Sequence, residues 1–135
     1  MIDLILTHGY FLCDDEKEKQ IMKPYAPLGL MYISSYLKQN GFNVELIDST
    51  FLDISILKKF LSENPGGILG IYTNLITRHN IIRIIKFAKQ NKFSVVLGGP
   101  ESANYPENYL DSGADVIVIG EGEQALSELI PTIRE

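Results

Sequence analysis

Two turns concentrate residues that can host chemistry. Gly98-Gly99-Pro100-Glu101 and Gly120-Glu121-Gly122-Glu123 each stop a short apolar run, Val95-Val96-Leu97 and Val116-Ile117-Val118-Ile119. Glycine at a strand end leaves no Cβ in the way, so a ligand can come close to the backbone. A third cluster, Tyr72-Thr73-Asn74-Leu75-Ile76-Thr77, puts hydroxyls and an amide behind another apolar run. Thr73 and Thr77 bracket a strand-to-helix turn, where hydroxyls and helix N-terminal N–H groups can face a polar or anionic ligand. The structural alternative is that Thr77 caps the helix. His8 ends the first apolar run, and His79, beside Arg78, reads as solvent-facing. Cys13 is followed by Asp14, Asp15 and Glu16, which raise a thiol pKa rather than activate it.

These patterns exclude several chemistries. A phospho-acceptor domain needs an acidic pair, an Asp and a Lys after its first, third and fifth strands. Thr7-His8, Thr73-Asn74 and Gly120-Glu121 stand there instead. His8 to Leu12 lacks the hydroxyl- and glycine-rich loop of a flavin phosphate site. Gly120 to Ala125 fits G-x-G-x-x-A, but it follows the last strand and places two glutamates where a pyrophosphate would sit. A single cysteine cannot form an internal disulfide or hold an iron–sulfur cluster.

The turns need a scaffold that gathers strand ends. Fully apolar β-branched runs read as strands buried on both faces of a parallel sheet. Those two runs and three further strand patterns, not all of them fully apolar, fall at residues 2–7, 43–48, 68–73, 94–97 and 115–119. Helical spacing separates them: Leu30, Ile33 and Leu37, ending at Asn40-Gly41; Ile54, Leu57 and Leu61 behind an Asp53 N-cap; Ile81, Ile82, Ile85 and Ala88; and Leu126, Leu129, Ile130 and Ile133. A short helix is placed at residues 106–112. The alternation predicts an α/β, Rossmann-like (flavodoxin-like) fold: a five-stranded parallel sheet in the order 2-1-3-4-5, with helices on both faces. Ligands of such sheets bind at the carboxyl edge. The link from His8 to about Ala26 is far longer than the usual ~2–6 residues. Its charge run from Asp14 to Lys19 reads as solvated. Its end, Pro24 to Gly29, delivers a helix N-terminus to the ligand edge.

The 135 residues are 45% hydrophobic and 21% charged with net charge −5, the balance of one ordinary globular domain and not of a basic nucleic-acid surface. No run approaches the ~20 apolar residues of a membrane span, and no signal-peptide pattern opens the chain. The expectation is a cytoplasmic protein, with residues 1–135 as one domain.

In this order the motifs resemble a known family. Pro27-Leu28-Gly29-Leu30 opens a helix ending Leu37-Lys38-Gln39-Asn40-Gly41, followed by Val44-Glu45-Leu46-Ile47-Asp48. Gly70-Ile71-Tyr72-Thr73, Leu97-Gly98-Gly99-Pro100 and Gly120-Glu121-Gly122-Glu123 come next. Together they are similar to the N-terminal cobalamin (B12)-binding domain of class B radical-SAM enzymes, of the methyltransferase and anaerobic magnesium-protoporphyrin ester cyclase types. The resemblance implies that the domain binds cobalamin at the strand carboxyl edge, base-off, with the nucleotide tail in a pocket beside the sheet. It assigns cofactor binding to Leu28, Gly29, Thr73, Asn74, Thr77, Gly98, Gly99, Pro100, Glu101, Gly120, Glu121 and Gly122, and no catalytic residue. It implies that Gly99→Val abolishes binding and leaves the fold intact. S-adenosylmethionine and a [4Fe–4S] cluster would belong to a radical-SAM domain, in cis or in trans. The Asp-x-His-x-x-Gly lower-ligand motif is absent. His8 is weighed as a cobalt ligand against a hydrogen-bonded structural role, and the structural role is favoured. The rival is an α/β nucleotide-binding or regulatory protein-interaction domain using the same edge.

Overall fold

The computed structural model describes residues 2–14 and 27–134. The charge run beyond Asp14 and the Pro24-Tyr25-Ala26 segment lie outside the described residues. Strand β1 (Leu4–His8) leads to helix α1 (Leu28–Gln39), then β2 (Val44–Leu46), α2 (Ile54–Glu63), β3 (Ile68–Tyr72), α3 (Arg78–Gln90) and β4 (Ser94–Gly98). Two short helices, α4 (Pro100–Asn104) and α5 (Pro106–Asp111), precede β5 (Val116–Ile117) and α6 (Glu123–Arg134). All pairings are parallel and the order is β2-β1-β3-β4-β5, as the sequence pattern predicts.

Period-two alternation divides the sheet into two faces. Ile5, Leu69, Ile71, Val95 and Leu97 pack with Leu57 and Leu61 of α2 and Ile81, Ile84 and Ile85 of α3. Leu4, Leu6, Ile68 and Val96 pack with Leu30 and Leu37 of α1 and Leu126 and Ile130 of α6. Each fully buried aliphatic side chain contributes about 1.5–3 kcal/mol, so the two apolar layers dominate the fold's stability.

Local signals behave largely as their chemistry dictates. Asp53 accepts the Ser55 and Ile56 N–H groups at the start of α2, and Gly41 ends α1 at φ +88°. Three details differ. Thr77 occupies the N-cap position of α3 without a capping bond. Asn74 Oδ1 instead accepts both the Thr77 N–H and the Thr77 hydroxyl, each at 3.0 Å, so the amide closes the turn. Pro100 and Glu101 open a helix instead of forming a turn, proline being well suited to a first helical position. β5 is shorter than its apolar run, because it is an edge strand: only Val116 and Ile117 pair in register with β4, and Ile119 is exposed.

Candidate functional site

The sheet's carboxyl edge carries a cavity of about 230 Å³ between the α1/α6 face and the strand ends. Its floor comes from parity. In the register Leu6 neighbours Gly70, Gly70 neighbours Val96, and Tyr72 neighbours Gly98. Two glycines on adjacent strands, offset by one row, remove side chains that would fill the space. Leu30 and Ile33 of α1 and Leu126 of α6 close the other side, and Gly120, Glu121, Gly122 and Glu123 form one rim.

Six of the twelve residues singled out from sequence line this cavity: Gly29, Gly98, Gly99, Gly120, Glu121 and Gly122. A Cβ built on Gly29, Gly98 or Gly120 would meet nothing within 4 Å, so these positions open onto empty space. Leu28, Thr73, Asn74, Thr77, Pro100 and Glu101 are not among the lining residues. Thr73 is odd in register and buried. Its hydroxyl donates to Gly98 O at 2.7 Å and accepts the Ser102 N–H at 2.9 Å. The polar cluster after β3 therefore ties two loops together behind the cavity. Glu101 is buried and pairs with the half-exposed Arg78, whose guanidinium also lies 5.2 Å from the Tyr105 ring centroid. The buried Tyr109 phenol, its pKa raised by burial and by the Glu101 charge, lies beside this pair and makes no well-formed hydrogen bond with it.

Gly70 and Tyr72 were not assigned from sequence, although both lie in a motif that carries the family resemblance. The available signal was Gly70 itself, a glycine inside a strand, which often marks close approach of a ligand or another group. Here a Cβ would also come within 2.8 Å of Leu6 Cδ2.

His8 is buried and fully engaged. Nε2 lies 2.7 Å from Asp48 Oδ1, and Nδ1 accepts the Tyr10 N–H at 3.1 Å, which makes Nε2–H the donor. The Ser49 hydroxyl bonds His8 O at 2.8 Å. Both ring nitrogens therefore have partners within the protein, the arrangement a hydrogen-bonded structural histidine makes. Burial works to raise the Asp48 pKa, but hydrogen bonds from the Thr50 hydroxyl, His8 and the Thr50 N–H outweigh it and hold the carboxyl below its ordinary value. Asp48→Ala is expected to cost about 1 kcal/mol at neutral pH, a modest figure because the group is partly solvated. A carboxylate with a lowered folded pKa stabilises above its unfolded pKa and loses that contribution as pH falls through the folded one. The stability gap between wild type and variant, read from urea midpoints, should hold from neutral pH to the carboxylate range and close only below it. A gap that persists unchanged below the carboxylate range would show that the Asp48 charge does not carry it.

A glycine-floored, apolar cavity at this edge suits a flat organic group. Residues 21–130 match the B12 binding domain family. The chain belongs to that family. The B12-binding domain is also 27% identical over 100 residues to a protein named as an uncharacterized methyltransferase of Synechocystis sp. (strain ATCC 27184 / PCC 6803 / Kazusa), a match covering 74% of this chain and 18% of that protein. The domain thus spans under a fifth of that relative's length. No solved structure matches it. Among the described residues no group of three His, Cys, Asp or Glu side chains could hold a metal ion, and no helix is long and apolar enough to cross a membrane.

Proposed function

We propose that this domain holds cobalamin base-off, with the nucleotide tail inserted into the α1/α6 cavity, as the cofactor module of a radical-SAM methyltransferase or cyclase. The observation that carries the reading is the set of open glycines, Gly29, Gly98 and Gly120, around an aliphatic wall. A dry apolar cavity of about 150 Å³ is known to take benzene. A volume of about 230 Å³ therefore has room for a bicyclic base such as dimethylbenzimidazole. A base lodged there is withdrawn from cobalt, and His8, with both nitrogens committed, does not replace it. When bound, cobalamin supplies a cobalt centre able to carry a methyl group. This chain's own residues position it: the glycines admit the tail and the aliphatic wall excludes water. The acidic rim of Glu121 and Glu123 weighs against the rival nucleotide reading, since it opposes bare phosphates at the 120–123 turn.

The methyltransferase assignment draws on the named relative, and the radical-SAM partner on the family resemblance. The outward face of α1 supports a partner in cis or in trans: Leu28, Met31, Tyr32 and Tyr36 are all exposed there, where a solvent-facing helix is ordinarily charged. With one cysteine in this chain, the iron–sulfur cluster and S-adenosylmethionine would be held by that partner. The module itself is proposed to act in the cytoplasm.

Anaerobic incubation with hydroxocobalamin followed by desalting tests the reading. Visible absorbance should co-elute with the protein, and cobinamide, which lacks the nucleotide tail, should bind at least about a hundredfold more weakly because it leaves the cavity unfilled. Loss of all absorbance on desalting would overturn cobalamin binding, and equal affinity for cobinamide would overturn the tail pocket. His8→Ala should leave the spectrum of bound cobalamin unchanged.

A further inference from the structure

The lining of the cavity is one-sided in its chemistry. Leu6, Leu30, Ile33, Val96, Val118 and Leu126 offer no hydrogen-bonding side chain. Of the backbone acceptors that border it, three are occupied within the protein. Gly98 O takes both the Thr73 N–H and the Thr73 hydroxyl. Gly99 O takes the Ala103 N–H and the Ser102 hydroxyl, and Gly122 O takes the Leu126 N–H. Glu121 is exposed and Glu123 half-exposed on the rim, where both stay hydrated. Tyr72 is the exception. Its ring, the lining's one aromatic, packs beside Gly99, 3.1 Å from where a Cβ would stand; the residue is 39% exposed, and its hydroxyl makes no hydrogen bond among the described residues, which leaves it open to a ligand.

Resting on the proposed tail pocket, we infer that the cavity selects corrinoids whose lower base is an alkylated benzimidazole over those carrying an aminopurine, and that Tyr72 is the residue that reads the base. An alkylated benzimidazole buries its hydrocarbon edge with no polar group to satisfy, and keeps one ring nitrogen, freed from cobalt, for the Tyr72 hydroxyl to donate to. An aminopurine brings an exocyclic amine and further ring nitrogens against the same aliphatic wall, whose side chains cannot receive them. An unsatisfied buried polar group of that kind weakens binding about ten- to a hundredfold. Apolar pockets discriminate poorly by size alone, so the sign of the preference comes from this unmet hydrogen bonding.

The test compares hydroxocobalamin, its adenine-based analogue and cobinamide by equilibrium titration against the wild-type domain and Tyr72→Phe. Cobalamin should bind about ten- to a hundredfold tighter than the adenine analogue. Tyr72→Phe should weaken cobalamin about fivefold, the loss of one hydrogen bond, while leaving cobinamide affinity and the melting temperature unchanged. Equal affinity for the two complete corrinoids would overturn the selectivity, and an unchanged cobalamin affinity in Tyr72→Phe would overturn the role of Tyr72. Cobinamide binding as tightly as cobalamin would instead remove the tail pocket itself, and this inference with it.

Discussion

Gly98→Leu is expected to abolish cobalamin retention while the domain stays folded. Gly98 lies at the end of β4 beside Tyr72, lines the cavity, and has an ordinary backbone conformation. A Cβ added there meets no atom within 4 Å, so a side chain can start from this position without a clash at its base. The added side chain occupies the volume proposed for the tail's base and packs toward the aliphatic wall. Replacing glycine also restricts the unfolded chain, which favours folding slightly. The melting temperature should move by only a few degrees, in either direction. Affinity for cobalamin should fall at least about a hundredfold, toward that of cobinamide, while cobinamide itself is little affected. The measurement is a titration of both corrinoids with thermal melts run alongside. Undiminished cobalamin binding in a folded Gly98→Leu domain would place the tail elsewhere.

The sheet was legible because the strands are short and mostly apolar and the segments between them carry helical spacing, which leaves few parallel topologies open. The cavity was only half legible, and parity is the reason. Ile68, Leu69, Gly70 and Ile71 are all buried, so β3 shows no alternation of polar and apolar residues from which its two faces can be told apart. The hydroxyl cluster of Thr73 and Thr77 looked like a ligand set, yet those groups satisfy backbone and side-chain partners within the protein. Tyr72 and Gly70, one residue out of phase with Thr73 and Ile71, face the cavity. Glu101 was unreadable for another reason. Its partner Arg78 is distant in sequence, and only the folded chain brings a buried carboxylate to that guanidinium. β5 has the same composition as an interior strand, and nothing in its residues records that it lies at the sheet's edge.

Gly99→Val is the contrary case, and the sequence-based expectation that it spares the fold does not survive the geometry. Gly99 sits at φ +97° and ψ 171°, a region essentially reserved for glycine. A Cβ there would stand 2.4 Å from Thr73 O and 2.9 Å from Thr73 N. These are backbone atoms, and they cannot move aside freely: the Thr73 N–H bonds Gly98 O at 2.8 Å, and the Thr73 hydroxyl is held by Gly98 and Ser102. Even Gly99→Ala should cost about 3 kcal/mol, combining an unfavourable backbone region with overpacking. For a domain of this size that lowers the melting temperature by roughly 10 °C. Gly99→Val adds β-branching and should cost more, leaving little folded protein to bind anything. A Gly99→Ala domain melting with the wild type would refute the close approach of the two loops. If both expectations hold, adjacent glycines serve different ends: the Cβ absent from Gly98 leaves room for a ligand, and the one absent from Gly99 lets the β3 and β4 loops pack against each other. Loss of cobalamin in a Gly99 variant would then report on folding, and only the Gly98 variant on the site.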